Sequence, residues 1–346
     1  MSEMMKAVVL QQLGGAEHLV YQDVPRPELT PGHVLVKVGA CGVGYRDIIE
    51  RRGDMPLMRP PIIQGHEFSG EVVAVGPGVA RWQVGDRVLN LYFTTCGVCP
   101  DCVGGDERRC RGIAEMFGLT VNGGYAEYVL AHERALERLL PGIDHDVAAT
   151  LYSAIGVGFN NTANATGVHV GERVLITGAS GGVGSAALQT AMLLGATVWA
   201  VTSSRDKADA LRALGADHVV VNTAGDFHKE VMAATGGEGV DAAIDCVGTP
   251  TMNGCLRSLR AFGRVVVVGN VDARRLELNL GYVLQRSLTI IGSDNVTRAA
   301  LRQAMALVQA GRLKPTIHAR LPLARAADAH RLLEQRGATG RLVLIP

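Results

Sequence analysis

Arg173-Val174-Leu175-Ile176-Thr177-Gly178-Ala179-Ser180-Gly181-Gly182-Val183-Gly184 is the stretch on which the fold turns. It opens with a short apolar run ended by glycine, the pattern of a strand buried on both faces. The glycines that follow let the chain turn sharply, bring backbone N–H groups close to an anionic group and let the next element pack tightly on the strand. From there to Leu194 the sequence reads as a helix, whose N-terminus adds partial positive charge at the turn. A glycine cluster alone signals only a tight turn. Here it belongs to a series of apolar runs at Arg173–Thr177, Thr197–Thr202, His218–Val221, 242–247, 264–268 and 287–291, separated by amphipathic helical stretches. That alternation predicts an α/β unit with a doubly wound parallel sheet. A glycine turn between its first strand and first helix is a dinucleotide-binding fingerprint, with Ser180, Gly181, Gly182 and Val183 set to cradle the pyrophosphate.

The end of the second run selects between the two nicotinamide dinucleotides. An acidic residue there takes the ribose hydroxyls of NAD and repels a 2′-phosphate. The sequence instead reads Thr202-Ser203-Ser204-Arg205-Asp206-Lys207, offering hydroxyl donors and two cations within reach of a phosphate. Ser203, Arg205 and Lys207 therefore point to NADP(H) rather than NAD(H). The alternative is that Arg205 and Lys207 are only the solvated first turn of the next helix.

With 346 residues the chain exceeds one ordinary core, and domains of roughly 100–200 residues make two the expectation. Hydrophobic residues make up 47% of it and aromatics only 4%, so its core must be built from Val, Leu, Ile and Ala, which suits a parallel sheet covered by helices. The net charge of +1, with no stripe of Lys and Arg, argues against a nucleic-acid partner. Met1 to Leu10 lacks the layout of a signal peptide, and no apolar stretch approaches the roughly 20 residues that span a bilayer, so no membrane partner and a cytoplasmic location are expected. Seven cysteines in such a chain do not read as a disulfide framework.

From Lys6 to about Val129 the sequence shows short alternating strands broken by Gly and Pro, as at 33–38 and 71–75, with Gly85-Asp86 as a turn. This half predicts an irregular β-rich domain. Past the last apolar run, 297–310 reads as a helix and Arg341–Ile345 as a strand that most simply returns to the first domain. The expected division is 1–151 with 293–346 as one domain and 152–292 as the other. Within the first, Cys96, Cys99, Cys102 and Cys110 stand as C-x2-C-x2-C-x7-C. Thiolates so spaced on a looping segment, here 94–112, close a tetrahedral zinc site that cross-links a stretch with almost no apolar core; an iron–sulfur cluster is the rival.

These cysteines, together with Gly65-His66-Glu67, Gly124-Tyr125-Ala126-Glu127-Tyr128, the glycine turn and Ala243-Ile244-Asp245-Cys246-Val247-Gly248, resemble the zinc-type alcohol dehydrogenase branch of the medium-chain dehydrogenase/reductase superfamily. The resemblance covers essentially the whole chain. It implies a GroES-like β-rich catalytic domain, a Rossmann domain inserted before the C-terminal strand, one structural zinc per subunit at the four cysteines and a small-molecule substrate. It further implies a homodimer or homotetramer that pairs through the last Rossmann strand at 287–291. Val247, Gly269, Asn270 and Arg341 join the expected cofactor contacts.

The pattern breaks at the catalytic metal. Zinc-dependent members hold it with a Cys after the second strand, the His of Gly-His-Glu and a Cys or Glu at the domain junction. Here Gly44 and Ser153 stand at the first and third places and only His66 remains, while Arg46 replaces the Ser or Thr of the proton relay. Catalytic zinc needs three protein ligands and an open position, and His66 with Glu67, even with Asp47 nearby, would hold it poorly. Cys41 lies three residues early, where the family often has a buried Cys that is not a ligand; Cys246 and Cys255 read as core. Gly44-Tyr45-Arg46-Asp47 resembles instead the loop of zinc-free reductases of polarised double bonds, the quinone oxidoreductases and acrylyl-CoA reductases. Likeness to archaeal acryloyl-CoA reductases extends to Val268-Gly269-Asn270-Val271-Asp272 and Leu280-Gly281-Tyr282, although those enzymes keep the two cysteines missing here.

Without a Lewis acid a plain ketone is hard to reduce, whereas a conjugated C=C asks for less. The expected chemistry is NADPH-dependent reduction of an enoyl-CoA or enone, with Tyr45, Arg46, Asp47 and His66 as the catalytic set: Tyr45 or Arg46 stabilises the enolate, and Tyr45 or a water delivers the proton. Two rivals stand beside it: an alcohol dehydrogenase or carbonyl reductase with a non-standard metal at His66 and Glu67, and an NADPH-binding sensor that has lost catalysis.

Overall fold

In the computed structural model, which describes residues 3–223, 225–272, 274–293 and 295–346, the chain divides into two compact units. The first comprises Met1–Ser153, Thr297–Gln309 and Ile317–Pro346, and the second Ala154–Val296 with Ala310–Thr316. The sequence assigned all of 293–346 to the first. The 310–316 stretch goes to the second because Gln189 grips it: the Gln189 amide donates to the Lys314 carbonyl at 2.9 Å and accepts from the Lys314 N–H at 2.8 Å.

The first unit is GroES-like and β-rich. Its main sheet has seven strands, and His33–Val43 at its centre pairs with Phe68–Val75, Tyr128–His132 and Arg341–Ile345. The C-terminal strand does return here, in a register that sets Leu342 opposite Val43 and Leu344 opposite Cys41. A three-stranded sheet of Leu19–Pro25, Met4–Leu10 and Ile62–Ile63 completes the unit. Alternate residues such as Val34, Val36 and Val38 enter one core with Phe68, Val72, Leu342 and Leu344, the period-two burial that a half-covered sheet demands. The central strand runs straight into the Tyr45–Arg52 helix. Gly44 caps its start, and the chain leaves its end at Gly53, whose φ of 90° favours glycine.

The second unit is a Rossmann domain. Its six strands are all parallel and lie in the spatial order His218–Val221, Thr197–Thr202, Arg173–Thr177, Val240–Asp245, Leu259–Val267, Thr289–Gly292. The direction of the series reverses between Arg173–Thr177 and Val240–Asp245, the point at which such sheets open a ligand crevice. Both faces are covered. Val174 and Ile176 pack with Ala187, Leu188 and Ala191 of the Gly182–Leu193 helix, while Leu175, on the other face, packs with Trp199, Phe227 and Leu256. The fourth strand stops two residues earlier than the sequence pattern suggests, because the Asp245 carboxylate accepts the N–H groups of Val247 and Gly248, both at 3.1 Å, and bends the chain away. Among the described residues no helix is long and apolar enough to cross a membrane.

Candidate active site and metal centre

The four cysteines form a lobe tied at its base by the short pairing of Phe93–Thr94 with Glu115–Met116. A single helical turn, Pro100–Val103, starts after Cys99 and carries Cys102. The four sulfurs lie within 4.8 Å of one another. Cys96 Sγ and Cys102 Sγ stand 4.0 Å apart, close to the separation of about 3.8 Å that two thiolates keep on a tetrahedral zinc with bonds of about 2.3 Å. Backbone N–H groups point at the sulfurs: Cys96 and Gly112 donate to Cys110 Sγ at 3.3 Å, and Cys99 donates to Cys96 Sγ at 3.4 Å. The N–H groups of Val98 and Cys99, helped by Cys110, bring the Cys96 thiol down to about 6. The donor set suits a thiolate-binding metal.

The second cluster starts from Gly44. The turn there lets the Asp47 carboxylate accept the Gly44 N–H at 2.8 Å and the His66 Nδ1 hydrogen at 2.7 Å. Asp47 and His66 are both buried, and Gln64 adds a hydrogen bond to the Asp47 carbonyl. Asn90 fixes the turn that carries His66, donating to the His66 carbonyl and accepting from Phe68 N–H. Burial opposes charge on Asp47, but the His66 ring and the Gly44 N–H hold its carboxyl down at about 2. Burial also opposes charge on His66; Asp47, Glu50 and Glu67 outweigh it, so the ring holds a proton more strongly than an ordinary histidine.

Behind the pair, Glu67 accepts from Ser153 N–H at 2.7 Å and pairs with Arg341 at 3.2 Å. The register of the C-terminal strand brings the Arg341 guanidinium beside Gly44. A Cβ on Gly44 would meet Arg341 Nη1 at 2.7 Å and His66 Cε1 at 3.0 Å. The guanidinium thus lies against the volume in which a side chain at position 44 would begin and would have to swing aside for one. Asp47, Glu50 and His66 do place one donor atom each within 4.8 Å of the others. The 2.7 Å between His66 Nδ1 and Asp47 Oδ1 is a hydrogen bond, however, so Asp47 orients the ring rather than serving with it as a second ligand. With glycine at 44 and serine at 153, His66 lacks the two further ligands a catalytic zinc needs, so the residues present do not fit that metal; Arg341, paired with Glu67, brings positive charge there.

Arg46 and Glu50 lie one turn apart on the Tyr45–Arg52 helix and share one face. Arg46 Nε donates to Glu50 Oε1 at 2.7 Å and Nη2 to the Tyr92 hydroxyl at 2.5 Å, while the Tyr92 hydroxyl donates to Glu50 Oε1 at 3.2 Å. The guanidinium also lies 4.3 Å from the centre of the Tyr92 ring. The Arg46 side chain remains 39% exposed, whereas that of Glu50 is 0% exposed. Burial pushes Glu50 up to about 7, against the pull of His66 and Arg46. Tyr45 falls on a different face, with Arg52 6.0 Å from its ring centre.

In the second unit the glycine turn takes the form the sequence promised. Gly178 has φ 58°, and a Cβ on Gly184 would fall 2.3 Å from the Gly178 carbonyl, so only glycine permits this contact of helix and strand. No side chain caps the Gly182–Leu193 helix at Gly181, which leaves its first N–H groups for an anion. Val247, Gly269 and Asn270 come together at the strand ends: Asn270 Oδ1 accepts from Thr249 N–H, and a Cβ on Gly269 would lie 2.5 Å from the Cys246 carbonyl. Thr202 ends the second strand; Ser203 and Arg205 are exposed and Lys207 is half-buried.

Of the sequence-predicted residues, Asp47 and His66 are brought together and Arg46 joins the neighbouring triad, but Tyr45 is bound to neither by any contact among the described residues. Arg341, expected at the cofactor, is placed with Glu67 in the first unit. Sequence reasoning missed Glu50, Tyr92 and Asp245. The spacing of Arg46 and Glu50 was the only signal for the first.

Comparison with known proteins agrees with this architecture. The model described as "Alcohol dehydrogenase GroES-like domain" matches residues 30–141, and that described as "Zinc-binding dehydrogenase" matches residues 182–310. The acryloyl-coenzyme A reductase of Sulfurisphaera tokodaii is 33% identical over 99% of this chain and 100% of its own. Among solved structures, the crystal structure of AibC is 43% identical, with a TM-score of 0.90 over 99% of this chain and 96% of that one. An NAD-dependent alcohol dehydrogenase is 34% identical, also with a TM-score of 0.90, over 99% of this chain and 100% of that one. On this likeness, which runs the length of the sequence, the chain belongs to the zinc-type medium-chain dehydrogenase/reductase family and is an NAD(P)-dependent oxidoreductase.

Proposed function

We propose that the protein is an NADPH-dependent reductase of polarised C=C bonds, acting on an enoyl thioester or enone without a catalytic zinc and carrying one zinc per subunit at its four cysteines. The observation that carries this reading is the missing donor set: Gly44 and Ser153 stand where two of the three zinc ligands would, and His66 is bound to Asp47. The likeness to an acryloyl-coenzyme A reductase supports the substrate class. NADPH is favoured by Ser203, Arg205 and Lys207 at a strand end that carries no acid. A charge-assisted contact to the 2′-phosphate contributes roughly 1.5–3 kcal/mol, about tenfold or more in affinity.

The bound cofactor supplies a hydride to the β-carbon. Arg46, the exposed cation of its triad, holds the oxygen on which enolate charge develops. The buried His66–Asp47 pair, through the Gly44 N–H, fixes the start of the helix that carries Arg46, and Tyr92, anchored by Arg46, places a hydroxyl near the site of protonation. The exposed apolar residues Leu280, Leu284 and Ile290, on and beside the edge strand Thr289–Gly292, are the surface through which two subunits would pair.

The test is a panel of enones, enoyl-CoA esters and simple alcohols with NADPH and NADH, repeated after a chelator has stripped accessible metal. Conjugated substrates should be reduced with an NADPH preference of at least tenfold, and chelation should leave the rate unchanged. Brisk alcohol oxidation that chelation abolishes would favour the reading with a metal at His66.

A further inference from the structure

We propose that Glu50 is the proton store of the reaction, recharging the Tyr92 hydroxyl after that hydroxyl has given its proton to the α-carbon. The inference rests on the C=C reading above and adds the proton path that the reading lacks. Tyr92 is 5% exposed and sits between Arg46 and Glu50, so its oxygen touches one cation and one carboxyl group. Glu50 is buried on every side, and its second oxygen, Oε2, has no hydrogen-bond partner among the described residues. Losing solvation on an oxygen that nothing restores costs a charged carboxylate far more than a neutral carboxyl.

The groups that face Glu50 are Arg46 and Asp47 from its own helix, His66 from the turn before the Phe68–Val75 strand, Tyr92 from the segment after Arg87–Asn90, and Tyr125. Asp47 adds negative charge beside it, while Arg46 and His66 pull the other way. The balance keeps Glu50 half-protonated near neutrality, where a proton donor is most useful.

The step balances. Hydride addition to the β-carbon moves the C=C electron pair onto the α-carbon and carbonyl oxygen. The Tyr92 O–H, which points to Glu50 Oε1 at rest, turns to the substrate and breaks as the α-C–H bond forms; the Glu50 carboxyl then presents its O–H to the phenolate oxygen held by Arg46, and that bond breaks as the Tyr92 O–H bond re-forms. Glu50 regains a proton from water between turnovers. Glu50 touches no substrate and acts through Tyr92, so it is a positioning residue, and Tyr92 is the catalytic donor.

Glu50→Gln keeps an acceptor for Arg46 while removing the transferable proton. Wild-type kcat should fall as pH rises through about 7. In Glu50→Gln it should be about 100-fold lower and flat from pH 6 to 8, with KM changed less than about threefold. Tyr92→Phe should lose kcat similarly. As a check independent of turnover, the melting temperature of Glu50→Gln relative to wild type should rise as pH climbs from about 4.5 to about 7 and level off above, because over that window the unfolded carboxyl is ionised while the folded one is still protonated. An unchanged alkaline limb in Glu50→Gln, or a melting difference that does not vary with pH, overturns the proposal while leaving C=C reduction intact. Absence of any turnover of conjugated substrates overturns the C=C reading and the proposal with it.

Discussion

The cysteine lobe and the His66 pocket lie in the same unit and face the same problem, concentrated negative charge poorly served by water. The lobe has four sulfurs, N–H donors and almost no core, so the natural counter-charge is a metal ion held by all four. The pocket has lost two of the family's ligand positions to Gly44 and Ser153 and answers Asp47, Glu50 and Glu67 with His66, Arg46 and Arg341. One region is arranged for neutralisation by a metal ion, the other by protons and guanidinium groups. Buried anions thus need not mark a metal when arginines of the same chain reach them.

Removing a cysteine tests the comparison most harshly. Cys102→Ser should abolish zinc binding and destabilise the first unit by about 4 kcal/mol or more, seen as a lower melting temperature and a zinc content near zero by elemental analysis. Two zinc ions per wild-type subunit, or a coloured iron cluster, would break it. The converse experiment restores the lost ligands. Gly44→Cys with Ser153→Cys should raise the metal content from one to two per subunit, the flexible end of Arg341 giving way; a content that stays at one would show that more than the lost ligands keeps metal out.

Asp47→Asn should cost roughly 2 kcal/mol at neutral pH. The folded Asp47 titrates at about 2 against an ordinary 3.8, so its stabilisation is present above pH 3.8 and is lost as pH falls towards 2. The gap in melting temperature between wild type and Asp47→Asn should therefore close across that window, and a gap independent of pH would deny the pair its charge. The smallest effect is expected at Tyr45. Its hydroxyl lies away from the Arg46 triad, so Tyr45→Phe should lower kcat only a few-fold, far less than Tyr92→Phe. The reverse order would return the donor role to the loop tyrosine suggested by the sequence.

The sequence exposed most of the second unit because local patterns decide it. Arg173–Thr177, Thr197–Thr202 and His218–Val221 are apolar runs with glycine or polar ends, and each forms a strand over just those residues. The site in the first unit was half legible. His66 and Asp47 belong to recognisable motifs, but Glu50 reads as the solvated partner of an i,i+4 ion pair, and nothing local says that the helix face carrying it is buried. Tyr92 is 42 positions away from Glu50 and meets it only through the sheet. Arg341 is nearly 300 positions from the Val43 carbonyl it approaches, so its place beside Gly44 depends on a strand register that no local pattern contains.

The grip of Gln189 on Lys314 bears on how this molecule can be taken apart. A fragment cut as the contiguous run 154–296 contains every Rossmann strand yet omits 310–316. It would leave the amide of Gln189, a residue 8% exposed in the whole chain, with both hydrogen bonds to Lys314 broken. Each orphaned group costs about 1–3 kcal/mol wherever water cannot replace the partner, a large share of what an isolated domain of this size has to spare. The nucleotide-binding half is continuous as a sheet but discontinuous as a gene segment. A graft or fusion that treats it as portable should fail to hold its fold unless the 310–316 stretch travels with it.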